Sequence, residues 1–245
     1  MLVDRFFKEL ECRLEEIRKG ETGNIDAAAE ICADSLANGG VIHIYDTGHL
    51  ISNELLGRAG GLAAYTQFTF GISVGSANSF RGAPTPPTDV ESERAVIAAA
   101  LDRSTIKPGD VLIIGSVSGN TIPVVELAFE AKRRKVSVVA LTGMAQSGNL
   151  EPLHPSGKRL ADVADVALDN HTVFGDAMIP VEGLKFPVCP FSGIGAAIVT
   201  WALTAAIVEK LMARGIEPTV YQSVHMPGGF EQLKESQSRY AKKGI

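Results

Sequence analysis

The stretch DVLIIGSVSGNTIPVVELAFEAKRRKVSVVALTG, residues 110–143, carries the decision about the fold. Residues 111–114 and 136–141 are apolar runs too short for helices and rich in β-branched side chains, the pattern of strands buried on both faces. Between them a Gly/Ser loop opens into a helix over residues 121–134. Strand, helix and strand in succession predict a parallel sheet with covering helices, an α/β architecture.

The alternation continues in both directions. Upstream, residues 41–45 (VIHIY) read as a strand, the turn Asp46-Thr47-Gly48-His49 follows, and residues 52–59 read as a helix closed by Gly60-Gly61. Residues 65–70 read as another strand and 91–101 as a helix. Between them, residues 71–88 hold Gly71, Gly75, Gly82, Pro84, Pro86 and Pro87 and are expected to be irregular, a candidate lid. Near the N-terminus, Phe6, Phe7, Leu10, Leu14 and Ile17 have the spacing of an amphipathic helix over 4–19. Gly20 and Gly23 are expected to end it before a second helix over 26–36, capped by Asp26 and stopped by Asn38-Gly39-Gly40. Downstream, residues 142–160 read as loop, 163–168 as a short strand, 219–224 as an extended piece, and a polar helix starts near 230. With no repeat of fixed period, one domain over residues 1–245 is expected.

Composition narrows the function classes. Of 245 residues 45% are hydrophobic and 21% charged, which excludes a disordered chain. Lys plus Arg number 23 against 28 Asp plus Glu, a formal charge of -5 with no long basic run, so neither nucleic acid nor an anionic membrane is an expected partner. Cys12, Cys32 and Cys189 show no CxxC spacing, which argues against a zinc ribbon or disulfide framework and for a reducing cytoplasm. The first twenty residues mix acids and bases, unlike a signal peptide. Nothing between Lys185 and Glu209 is charged. Pro187, Pro190, Gly193 and Gly195 are expected to break that stretch, leaving about 14 to 16 helical residues where a membrane span needs roughly 20. A buried core helix over about 193–213 is the expectation.

In an open parallel sheet ligands bind beyond the carboxyl ends of the strands. The loop Gly115-Ser116-Val117-Ser118-Gly119-Asn120-Thr121 lies at such an end, with three hydroxyls, a permissive glycine and a helix N-terminus whose free N–H groups suit a phosphate. The same residues also suit plain helix capping and turn formation. The loop is neither a Walker loop nor a GxGxxG fingerprint.

Residues 110–143, with their Ser-x-Ser-Gly-x-Thr core at Ser116, Ser118, Gly119 and Thr121, resemble the sugar isomerase (SIS) domain of phosphosugar-binding proteins. Gly48-His49 with Glu54, Arg58 to Leu62, Glu93-Arg94, His154 to Lys158, Asp169-Asn170 and Gly175 to Ala177 extend the resemblance to a bacterial subgroup of stand-alone SIS proteins similar to phosphoheptose isomerase. The resemblance implies a five-stranded parallel sheet in a three-layer α/β/α sandwich with flavodoxin-like strand order. It also implies N-terminal helices (about 4–38) packing on the domain and a dimer partner, and a phosphosugar ligand. Phe6, Phe7 and Leu10 form an apolar stripe in keeping with a homodimer.

Thr47, Gly48, His49, Ser116, Ser118, Gly119, Asn120, Thr121 and Asn170 are the expected phosphate and substrate contacts. Glu54 stands where SIS isomerases carry a catalytic glutamate; its other reading is a solvated helix face. Aldose–ketose interconversion needs a base for the C2 proton and an acid, without metal or redox cofactor. His171 and His225, each after an extended segment, are the candidate acids, and His43 is expected in the core. A metal on His49, His171 and His225 is not expected, because helical ligand spacing is missing. Asp169 and Asn170 suit sugar hydroxyls or mere turns, and Trp201 is expected in the core. The rivals to an isomerase are a non-catalytic phosphosugar sensor and an etherase or lyase.

Overall fold

The computed structural model describes residues 1–48, 50–72, 80 and 89–245. His49 and most of the expected lid over 71–88 lie outside the described residues. In chain order the elements are α1 (Leu2–Ala37), β1 (Ile42–Asp46), α2 (Ser52–Leu55), β2 (Tyr65–Gln67), α3 (Val90–Asp102), β3 (Val111–Gly115), α4 (Ile122–Arg133), β4 (Ser137–Thr142), α5 (Met144–Gly148), α6 (Leu160–Val163), β5 (Val166–Asp169), β6 (Ala177–Ile179), β7 (Val188–Pro190), α7 (Ser192–Ala213) and α8 (Gly229–Lys243).

Five strands form one parallel sheet in the order β2-β1-β3-β4-β5. Alternate residues of the central strands feed two separate cores. Ile42, Ile44, Val111, Ile113, Val139 and Leu141 pack toward α1 and α7. Leu112, Ile114, Val138 and Ala140 pack toward α3 and α4. Both faces of the sheet are therefore covered, which is why the central strand β3 reads VLIIG without a polar side chain.

The N-terminal region corrects the sequence reading. One unbroken helix of 36 residues replaces the two expected over 4–19 and 26–36. Gly20 does not end it: a Cβ there would stand 3.1 Å from the His171 ring, so the glycine admits a side chain from beyond β5. Glycine costs a helix interior about 1 kcal/mol, which tertiary packing along Ile25, Ala28, Ala29, Cys32, Ala33 and Leu36 offsets. Those small residues let α1 lie against α7, and ion pairs fix the register: Lys210 with Asp26 (2.7 Å), and Arg214 with Asp34 (2.8 Å) and Glu30. The first buried residue of α1 is Ile17, so Leu2, Val3, Phe7 and Leu14 lie on a largely exposed half.

Helix α7 keeps the expected bounds to within one residue, but Gly193 and Gly195 do not break it. It runs 22 residues through Gly193 and Gly195, long and apolar enough to cross a membrane by length and composition. One face, including Ala196, Val199, Leu203, Ile207 and Leu211, belongs to the α1 core, so the expected core helix is half right: its other face is partly exposed. Gly195 is required here, because a Cβ would meet the Asn170 carbonyl oxygen at 2.1 Å. The expected helix over 52–59 shrinks to the four residues of α2, and the strand over 65–70 to the three of β2. The strand expected over 163–168 starts only at Val166, after the short α6. The antiparallel pair β6–β7 has no counterpart in the sequence reading. The extended piece 219–224 makes only a bridge, Leu62 to Val220.

Candidate functional site

The carboxyl ends of β1, β3, β4 and β5 place Asp46, Gly115, Thr142 and Asp169 along one edge of the sheet. After β3 the chain turns through Gly119 at φ +56°, where a Cβ would meet Thr142 Oγ1 at 2.8 Å. Only glycine fits that turn. The loop is braced from behind: the Gly119 N–H donates to Ser116 Oγ (3.3 Å), Leu160 N–H to the Gly119 carbonyl (2.7 Å) and Leu153 N–H to the Asn120 carbonyl (3.1 Å). The buried Asn120 side chain donates to the Glu151 carbonyl (3.1 Å).

The front of the loop is unspent. Among the described residues, the amides of Ser118, Asn120 and Thr121 donate to no protein acceptor, and the Ser118 and Thr121 hydroxyls have no hydrogen-bond partner. Thr121 occupies the N-cap of α4 without capping it through its side chain. The capping explanation therefore fails for this hydroxyl, and the row of free donors at a helix N-terminus forms a cradle whose chemistry suits an anion.

Across β1 the turn at Asp46 is tightly organised. Its carboxylate accepts from the amides of Gly48 (2.9 Å), Ile51 (2.7 Å) and Ser52 (3.1 Å), which starts α2. Thr47 lies beside the cradle, its amide donating to the Gly115 carbonyl at 3.1 Å. Glu54, on α2, is partly exposed, and both its carboxylate oxygens have partners. Its Oε2 accepts from Arg58 Nη1 (2.7 Å) and its Oε1 from the Trp201 indole N–H (3.1 Å). The Trp201 contact reaches across 147 positions and corrects the reading of this residue as core alone.

The two candidate histidines differ in their surroundings. His171 sits at φ +55° with its ring on α1, Nε2 lying 3.3 Å from Glu21 Oε1. It follows β5, three strand spacings or about 14 Å from β1 along the sheet. Asn170 is fully buried, donating to the Ser192 carbonyl (3.2 Å) and accepting from the Thr172 amide (3.0 Å), which makes it a turn-shaping residue behind the rim. His225 is exposed. Its segment is tied to the one that carries Glu54 and Arg58, through Gly60 N–H to the Tyr221 carbonyl (2.8 Å) and Tyr221 N–H to the Gly61 carbonyl (3.0 Å).

Two other histidines are structural. His43 is buried and pairs with Asp110 (3.0 Å) near the amino end of the sheet; burial pushes its pKa down. His154 Nε2 lies 3.0 Å from Glu126 Oε2, while its Nδ1 accepts from the Ser156 amide (3.2 Å). An amide can only donate, so the His154 proton resides on Nε2 and is given to Glu126. Burial alone would raise the Glu126 carboxyl, but hydrogen bonds from Arg94, His154 and Arg133 outweigh it and hold the group below its ordinary value. This pair locks α4 to the loop that backs the cradle. A groove of about 600 Å³ lies elsewhere, between β2 and α3, lined by Phe68, Phe70, Val96 and Ala100. It also carries polar side chains, among them Thr69, Arg103 and Thr105, but its α3 residues come from the middle and end of that helix, so the donors at the start of α4 single out the strand-end site.

A family model of the SIS domain matches residues 5–143, from α1 through β4 and across the whole cradle. The chain belongs to the SIS-domain family. Among its relatives, the UPF0309 protein of Streptomyces griseus is 34% identical over 236 residues, spanning 94% of this chain and 91% of its own. The UPF0309 protein of Listeria monocytogenes is 31% identical over 238 residues, spanning 96% of each chain. Phosphoheptose isomerase GmhA from Neisseria gonorrhoeae shares the SIS fold with a TM-score of 0.52 at 22% identity, over 84% of this chain and 96% of that one. The five-stranded parallel sheet, its order and its flanking helices are thus those of an SIS α/β sandwich.

Proposed function

We propose that this protein is a cytoplasmic sugar-phosphate isomerase, working as a homodimer with the whole chain as one SIS domain. The observation that carries the reading is the row of unpartnered donors at Ser118, Asn120 and Thr121, with the carboxylate of Glu54 on α2, which follows the neighbouring strand β1. Phosphate in the cradle anchors the substrate, and its binding energy orients the reacting carbons. Thr47 and Gly48 face the sugar. Glu54 takes the C2 proton, the electron pair left behind forms the C1–C2 double bond of an enediol, and Glu54, whose proton exchanges with water at this stage, delivers a proton to C1. His225, whose segment is anchored beside Glu54, protonates the C1 oxygen as that bond forms and then takes the C2 hydroxyl proton as C1 is protonated and the C2 carbonyl forms; His171 is the alternative for this role. SIS membership and the shared fold of a phosphoheptose isomerase support this substrate class. The exposed Leu2, Val3, Phe7 and Leu14 of α1 support association of two copies through that helix.

A second reading, a phosphosugar sensor, is favoured by one feature: both Glu54 oxygens already accept hydrogen bonds. The experiment that separates the two is exchange of the substrate C2 hydrogen with deuterated water, followed by NMR on a panel of sugar phosphates. An isomerase exchanges it. Tight binding without exchange or conversion establishes the sensor and removes the enzyme.

A further inference from the structure

We propose that Trp201 is a positioning residue for Glu54, holding the carboxylate at the rim of the site through its indole N–H. The proposal rests on the reading of Glu54 as the base. Helix α2 is a single turn of four residues, and one turn has no stability of its own. The direction in which Glu54 points must come from outside the helix. Three contacts are available. Asp46 fixes the start of α2 through the Ile51 and Ser52 amides, but it does not touch Glu54. Arg58 does, yet its side chain is 52% exposed, and such a pair is weak and mobile. Trp201 alone is anchored in packed structure.

Its anchorage is visible on both sides. Neighbouring α7 residues Thr200, Leu203 and Thr204 are buried, and Thr204 Oγ1 is 2.7 Å from the hydroxyl of the buried Tyr65. On the other side the loop after α2 closes over the indole, where a Cβ on Gly61 would stand 3.6 Å from Trp201 Cη2. The indole therefore cannot follow a wandering carboxylate; the carboxylate must come to it.

The chemistry of the donor also matters. An ionised carboxylate offers about four lone-pair sites. Trp201 and Arg58 take two, which leaves room for a substrate proton. An indole N–H donates only and has no lone pair to compete for that proton. A hydrogen bond to a charged acceptor is short-range and directional, so it orients the base without changing what the base can do.

The test uses the full-length protein and the fact that its sequence contains a single tryptophan. In ¹⁵N-labelled protein the one indole N–H resonance should move upfield in Glu54→Gln, because a neutral amide is a weaker acceptor. An unmoved resonance overturns the contact and with it the proposal. Trp201→Phe keeps the ring's packing and removes the donor. It should leave the melting temperature and the dissociation constant for the best sugar phosphate unchanged, while kcat falls about tenfold to hundredfold, the range of a hydrogen bond to a charged group. If affinity and melting temperature fall together with kcat, Trp201 is a packing residue and the proposal fails. If Trp201→Phe turns over at the wild-type rate while Glu54→Gln is inactive, the base assignment stands and only the role of Trp201 falls. Full turnover in Glu54→Gln removes the base assignment itself, and a wild-type protein that converts no sugar phosphate removes the isomerase reading together with this one.

Discussion

Residues 116–121 and residues 169–176 look alike as sequence, each a polar run after a buried strand with a glycine and several short hydrogen-bonding side chains. In the folded protein they are opposites. The second is closed on itself: Asp169 accepts from the Met144 and His171 amides, and Asn170 is bonded at both ends. Asp176 accepts from Thr172 Oγ1 (2.6 Å) and from the Phe191 (3.1 Å) and Ser192 (2.7 Å) amides, so it serves as the acceptor at the start of α7. The first run is braced at its back and open at its front. Composition marks both as ligand loops; the distribution of unpaired donors marks only one. A buried or half-buried donor without a partner is costly, and a protein tolerates a row of them where a ligand is to supply the acceptors.

Substitutions on the two sides should therefore separate function from stability. The largest effect is expected at Glu54, beside the open loop. Glu54→Gln keeps shape and binding, while turnover falls by about 10²–10⁴, the usual contribution of a positioned acid or base. His171→Gln, on the closed side, should cost far less, and steady-state kinetics of the two variants on one sugar phosphate checks the contrast. Equal losses would merge the two regions into one site.

Next in size is Ser118→Ala, which removes an unpartnered donor from the cradle. Affinity for sugar phosphate should drop about tenfold to hundredfold at an unchanged melting temperature, as calorimetry would record. The mirror experiment is Asp176→Ala. It leaves the amide and hydroxyl of Ser192, at the start of α7, without their acceptor and should cost about 1–3 kcal/mol of stability, read by urea denaturation, with the affinity of the remaining folded protein untouched. A loss of affinity without loss of stability there would break the comparison.

The smallest effect is in the acid limb of stability. Burial alone would raise the Asp176 carboxyl, but bonds from Thr172 and Ser192 outweigh it and hold the group below its ordinary value. Glu126 is depressed in the same direction. A carboxyl depressed by folding stabilises the native state above its unfolded value and loses that contribution as pH falls through the folded one. Urea midpoints should accordingly decline below about pH 4, and less steeply in Asp176→Asn than in the wild type. Parallel curves would mean that Asp176 takes no part.

How much of this is legible in the sequence follows from the range of each interaction. The central strands are legible, because a run such as residues 111–114 is apolar at every position and must be covered on both faces. The cradle is legible as a candidate, since its hydroxyls and glycine are local. What the sequence hides is set by distant partners. Gly20 reads as a helix stop until His171 is found against it. Asn170 reads as a sugar contact until Ser192 and Thr172 take both ends of its amide. The indole that holds Glu54 comes from a stretch of α7 whose lack of charge up to Glu209 signals only burial. Strands as short as β6 and β7 leave no periodicity to detect.

The central claim is that the unpaired donors of residues 116–121 await a phosphate, and thermal denaturation with matched ligands tests it most directly. Sugar phosphates and the same sugars without phosphate are titrated against the wild-type protein and Ser118→Ala. At about 100 times its dissociation constant a true ligand adds roughly 2.7 kcal/mol of stability. The account predicts a shift for a phosphorylated sugar, none for its dephosphorylated partner, and a weaker one in Ser118→Ala. Equal shifts with and without phosphate, or a shift that Ser118→Ala leaves intact, would contradict it.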